Sequence, residues 1–126
     1  MTRDAISTPN APAAIGPYSQ AIKASGNFIF LSGQVPLTPA GELITGDIKL
    51  QATQSLNNLK AVLEAEDLSM DNIVKTTILL SSMEHFAAVN EVYATYFGDV
   101  PPARATYAVA GLPKGADIEI EAIAVF

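Results

Sequence analysis

One arginine, two glutamates, a tyrosine, a serine–glycine pair and one asparagine hold most of the chemistry this sequence offers. Arg104 follows Pro101-Pro102 and stands in a run otherwise free of charge, A-R-A-T-Y-A-V-A. A guanidinium there forms an ion pair with a glutamate, snorkels to the surface, or clamps a small carboxylate. The clamp uses paired N–H groups that match a carboxylate bidentately, which lysine cannot do. Glu119 and Glu121 share one face of the final run, I-E-I-E-A-I-A-V-F, either as a solvated edge or beside a ligand and a water. Asn90 lies on the apolar side of a helical stretch between Phe86 and Tyr93. A buried amide must be hydrogen-bonded, so it ties down a loop or strand end or touches a ligand. Tyr18 follows Gly16-Pro17 and packs in the core or at a rim. Ser32-Gly33 closes a dense apolar run, as a bulge or as a hydroxyl and N–H groups facing an oxyanion.

Composition narrows the chemistry. There is no cysteine, so disulfides and thiolate catalysis are excluded, and His85 is the only histidine, which argues against a zinc site or a nucleophilic triad. No Gly-x-Gly spacing offers a phosphate cradle. The net charge is −6 and the seven basic residues form no cluster, so no nucleic-acid partner is expected. No apolar run reaches membrane-spanning length and the first residues lack a signal-peptide core, so a soluble, cytoplasmic protein is expected. At 126 residues, 49% apolar and 16% charged, the chain reads as one globular domain over 1–126. The low charge also suits a chain that hides surface in an oligomer.

The elements that must position these groups follow from periodicity. Residues 1–15 read as a loop or edge strand, with a strand from about Tyr18. Ser25-Gly26-Asn27 turns the chain into F-I-F-L-S-G-Q. Ile48, Ala52, Leu56, Leu59 and Leu63 predict a helix over 47–66 with Asp47 as N-cap and Gln51 on the wet face. I-V-K-T-T-I-L-L over 73–80 predicts a central strand. Ser81-x-x-Glu84 is a capping box, with Ser82 as the alternative cap, opening a helix to about Phe97 whose stripe is Phe86, Val89, Tyr93, Tyr96 and Phe97. Two strands end the chain around a 111–116 connection. Pairing them as an antiparallel hairpin would set Arg104 near residue 123 and leave Glu119 roughly 13 Å away, too far for a direct bridge. In the last strand Ile118, Ile120, Ala122, Ala124 and Phe126 share one face, and Glu119, Glu121, Ile123 and Val125 the other. Neither face is plainly polar, which points to cover on both sides, the second from another copy of the chain. The order fits an α+β domain with one mixed sheet and two helices on one face.

Taken together, A-P-A-A-I-G-P-Y-S-Q-A, L-S-G-Q-V-P, I-V-K-T-T-I, F-A-A-V-N-E-V-Y, P-A-R-A-T and L-P-K-G-A-D-I-E-I-E-A-I-A-V closely resemble the RidA/YjgF family of reactive-intermediate deaminases. The match runs along nearly the whole chain. The resemblance implies a chorismate-mutase-like fold and a homotrimer with a central barrel of sheets, helices outside and sites between subunits. It also implies cofactor-free and metal-free hydrolysis of 2-imino acids, such as 2-iminopropanoate, 2-iminobutanoate and the enamine 2-aminoacrylate, to 2-oxo acids and ammonia. On these motifs Arg104 would bind the substrate carboxylate, Glu119 would position water, and Tyr18 would close the pocket. Ser32, Gly33, Asn90 and Thr106 would line the site. Thr106 stands where many relatives carry cysteine or serine, and Gly111 where an arginine is common. The alternative reading is a non-catalytic sensor of small carboxylates such as 2-oxo acids.

Overall fold

The structure, a computed structural model, describes residues 2–126. Its strands are β1 (Thr2–Ile6), β2 (Ala21–Ser25), β3 (Phe28–Gln34), β4 (Ile73–Leu80), β5 (Ala103–Ala108) and β6 (Ile118–Val125). Its helices are α1 (Ile48–Glu64) and α2 (Phe86–Ala94). β1 and β2 pair as an antiparallel ribbon, and the other four strands form a mixed sheet in the order β3-β6-β4-β5. The class is α+β, as expected, but the ribbon stands apart from the main sheet instead of extending it.

The predicted β5–β6 hairpin does not form. β4 lies between the two, parallel to β5 and antiparallel to β6. β4 is the β-branched run at 73–80, and its backbone edges both need partners. α2 carries the chain across to β5 on one side. The 109–117 connection then crosses β4 to reach β6, starting with a bond from Val109 N–H to the Leu80 carbonyl and turning through Lys114 at φ 59°.

The helices pack on one face of the sheet over a core that includes Leu56, Leu59, Leu63, Ile78, Leu80, Tyr93, Ile118 and Ile120. Asp47 caps α1, its carboxylate accepting from Lys49 N–H at 2.8 Å. Gln51 is not on a wet face: it is buried, and its side chain donates to Asp117 Oδ2 at 3.0 Å and accepts from Asp117 N–H. Ser82 rather than Ser81 caps the entry to α2, because the Ser81 hydroxyl donates to Asp117 Oδ1. α2 stops at Ala94, although Tyr96 and Phe97 still pack on the core. β2 starts at Ala21, and Tyr18 lies in the bend before it. β6 keeps its alternation to the end: Ala124 joins the core under the helices, Val125 is buried on the other face opposite Phe28, and Phe126 lies exposed beyond the strand. The face away from the helices is left bare by this chain: Phe28, Phe30, Tyr107 and Glu121 are exposed there, Phe30 by 75%.

Candidate functional site

Arg104 lies opposite Thr76 in the parallel β4–β5 register. Thr76 points into the helix layer and is buried, so Arg104 enters the same layer beside α2. There Asn90 and two rings of α2 meet it. The Arg104 Nη1–H donates to Asn90 Oδ1 at 2.7 Å. The rings of Tyr93, Tyr18 and Phe86 have centroids 5.2, 5.3 and 5.6 Å from the guanidinium carbon, within cation–π range. Phe86, Asn90 and Tyr93 fall at i, i+4 and i+7, one stripe of a helix. Tyr93 is held in turn by a 2.7 Å bond between its hydroxyl and that of Thr76.

Tyr18 arrives from a distant stretch because Ser19 fastens its bend to the residues just before β5. Ser19 N–H donates to the Pro102 carbonyl at 3.1 Å and the Ser19 hydroxyl to the Pro101 carbonyl. Nη2 of Arg104 faces Gly16, where even a Cβ would keep 4.0 Å away, so this edge of the guanidinium is not crowded. Burial draws the arginine pKa down, while Tyr93 and Tyr18 act in the opposite sense. Among the described residues the one ion pair is Lys49–Glu91, so Arg104 has no carboxylate partner in its own chain. Thr106, two residues further along the same face, places its hydroxyl in a buried position with no hydrogen-bond partner. A buried hydroxyl without a partner is costly unless a ligand completes it.

Glu119 belongs to a second group. Its neighbours Ile118 and Ile120 are buried beneath the helices, so Glu119 points to the other face of the sheet. It lies over Gly33: a Cβ on that glycine would be 2.5 Å from Glu119 Oε2 and 2.8 Å from Cδ. The β3–β6 register breaks between Leu31 and Gln34, and Ser32 is exposed within that bulge. The bulge reading of Ser32-Gly33 holds, and the missing side chain of Gly33 lets a carboxylate approach its backbone.

The candidate residues thus form two groups on opposite faces of the sheet, one cationic and one anionic. Arg104, Tyr18, Asn90 and Thr106 form the cationic group. Glu119, Gly33 and Ser32 form the anionic group. Sequence reasoning assigned Phe86 and Tyr93 to the core and passed over Thr76; the helical stripe shared with Asn90 was the available signal. A surface groove of about 710 Å³ between α1 and α2 is lined by Lys49, Thr53, Lys60, Glu91 and Tyr96 among others, and contains none of these groups.

Residues 8–126 match the protein family described as Endoribonuclease L-PSP. The chain is 54% identical to a RutC family protein of Pyrococcus horikoshii, over 97% of each chain. It is 52% identical to the 2-iminobutanoate/2-iminopropanoate deaminase of Mus musculus, over 99% of this chain and 93% of that one. A solved Rid-family structure from Yersinia pestis superposes with a TM-score of 0.76 at 46% identity, covering 99% of this chain and all of the other. These matches cover nearly the whole chain: it belongs to the L-PSP (YjgF/RidA) family.

Proposed function

We propose that this protein hydrolyses 2-imino acids and their enamine tautomers to 2-oxo acids and ammonia, working as a homotrimer of the chorismate-mutase-like type with its sites between copies. The observation that carries the reading is the state of Arg104: a half-buried guanidinium with one N–H bound to an amide and no carboxylate from its own chain. A charge in that state needs an anion from elsewhere. The activity named for the mouse relative supplies a fitting one, a small 2-imino acid.

The two groups support a site shared between copies. They lie on opposite faces of one sheet, so they meet only if the cationic group of one copy faces the anionic group of the next. The bare face with Phe28, Phe30 and Tyr107 provides apolar surface for that contact.

In the assembled crevice Arg104 grips the substrate carboxylate through paired N–H groups, binding substrate and transition state alike. N–H groups near Gly33 and Thr106 share the carboxylate, and Thr106 gains a partner for its hydroxyl. An enamine first takes a proton at carbon and becomes the imine. Glu119 orients a water and accepts its proton as oxygen attacks the imine carbon, an acid–base contribution of about 10²–10⁴-fold. Tyr18 closes the pocket and donates toward the nitrogen, which leaves as ammonia. One water is consumed, the C=N bond is replaced by C=O, and no electron acceptor is required.

The test generates 2-aminoacrylate with a dehydratase acting on serine and follows the loss of the imine. Acceleration over buffer that disappears in Arg104→Ala supports the enzyme. Binding of 2-oxobutanoate without acceleration would make the protein a sensor instead. A monomer in sedimentation at micromolar concentration would overturn the shared site.

A further inference from the structure

We infer that Tyr93, tethered through Thr76, and Phe86 are positioning residues that aim the Arg104 guanidinium. The inference rests on the proposed deaminase reading for its kinetic consequences but not for its geometry. Four contacts close a circuit. Arg104 and Thr76 are register partners on adjacent strands. The hydroxyl of Thr76 bonds that of Tyr93 at 2.7 Å. The Tyr93 ring lies 5.2 Å from the Arg104 guanidinium carbon. Asn90, one turn before Tyr93 on α2, takes the Nη1 proton.

The ring is thereby fixed relative to the backbone that carries the arginine, and the hydroxyl pair sets the spacing. A tyrosine serving only as core filling needs no such bond, and phenylalanine would satisfy the apolar pattern at 93. Phe86 adds a second ring from the same helix at 5.6 Å, and Tyr18 a third from outside it. Rings are poor hydrogen-bond acceptors, so they hold the cation without neutralising it. A carboxylate in any of these places would occupy the N–H edge that a substrate must use. The cage restricts the guanidinium while leaving its remaining donors free.

Tyr93→Phe keeps the ring and cuts the tether. The contact between Arg104 and a carboxylate is made equally in the ground state and the transition state, so its loosening raises KM and spares kcat. The expected result is a rise of about tenfold in KM, and in the Kd of 2-oxobutanoate by calorimetry, with kcat within about threefold. Thr76→Val cuts the same bond and should do the same, while Thr76→Ser retains it and stays near wild type. Because the two hydroxyls satisfy each other, the double variant Tyr93→Phe/Thr76→Val should be no worse than either single one. Phe86→Leu should also raise KM. A fall in Tm with KM and Kd unchanged, or additive losses in the double variant, would overturn the inference.

Arginine ¹⁵N NMR reads the cage without any substrate. Rotation of the Arg104 guanidinium should be slow in wild type and faster in Tyr93→Phe. Fast rotation already in wild type defeats the cage whatever the activity shows. Slow rotation in a wild-type protein that neither binds 2-oxobutanoate nor consumes imine defeats the deaminase reading alone.

Discussion

The Glu119 carboxylate occupies the space beside Gly33 that any side chain there would need, with Oε2 2.5 Å from the position of a Cβ. The obstructing atoms are the far end of a side chain, and so the cheapest thing for a larger residue to move. Gly33→Ala should therefore fold normally, with Tm within a few degrees of wild type, but with the carboxylate displaced. A misplacement of about 1 Å costs on the order of 10²-fold in rate. Imine hydrolysis at saturating substrate should fall by about that factor. Full activity in Gly33→Ala would mean that Glu119 does not need to stand where it does.

Arg104→Lys separates charge from shape. Lysine keeps the cation but lacks the planar fork, and its stem cannot both reach Asn90 and present two N–H groups to one carboxylate. A loss of about 10²-fold in kcat/KM is expected, carried by KM, with the fold intact by circular dichroism. If lysine served as well as arginine, the bidentate clamp would be wrong.

The types of the site residues were legible in the sequence, but their arrangement was not. Arg104 stands out because prolines and small residues surround it, and Gly33 because it interrupts a dense strand. β4 matches its predicted run residue for residue. The strand order was hidden, because Gly111, Pro113 and Gly115 signal a change of direction equally well in a tight hairpin and in a connection that crosses another strand. What decides is the demand of β4 for partners on both edges, a property of the whole sheet. That order, in turn, puts Arg104 and Glu119 on opposite faces. Gln51 was misplaced for a related reason: a helical pattern sends glutamine outward unless something distant satisfies it, and here Asp117 does.

Asn90→Asp tests whether the guanidinium must stay unpaired. The new carboxylate is nearly isosteric with the amide, and its oxygen would take the place of an acceptor now 2.7 Å from Nη1. Arg104 would then carry an internal counter-ion. The folded state should be as stable as wild type or more so, while affinity for 2-oxobutanoate falls by about tenfold or more, the trade-off between stability and function expected where a site keeps a charge unpaired. Unchanged affinity in titration calorimetry would show that substrate binding does not depend on an unneutralised Arg104.

Asp117 links stability to pH. Its carboxyl is held below its ordinary value of 3.8, first by the hydrogen bond from Gln51, then by that from Ser81, with the charge of His85 acting in the same direction and burial opposing. A carboxyl whose folded pKa is depressed adds stability above its unfolded pKa. That contribution fades as pH falls through the folded value. Wild-type Tm should hold steady in this respect above pH 4 and decline below it. Asp117→Asn removes the charge: its neutral amide oxygen is a weaker acceptor for Gln51 Nε2, and its N–H₂ faces the Ser81 hydroxyl, which must turn to accept. Gln51 cannot simply turn over, since its Oε1 already accepts from the Asp117 backbone N–H. The variant should be less stable at pH 7, and its deficit should shrink as the medium is taken below pH 3.8. Thermal melts of both proteins from pH 2.5 to 7 measure this directly. A gap of constant size over that range would mean that Asp117 acts by shape alone, and that the tie between α1 and the start of β6 does not depend on its charge.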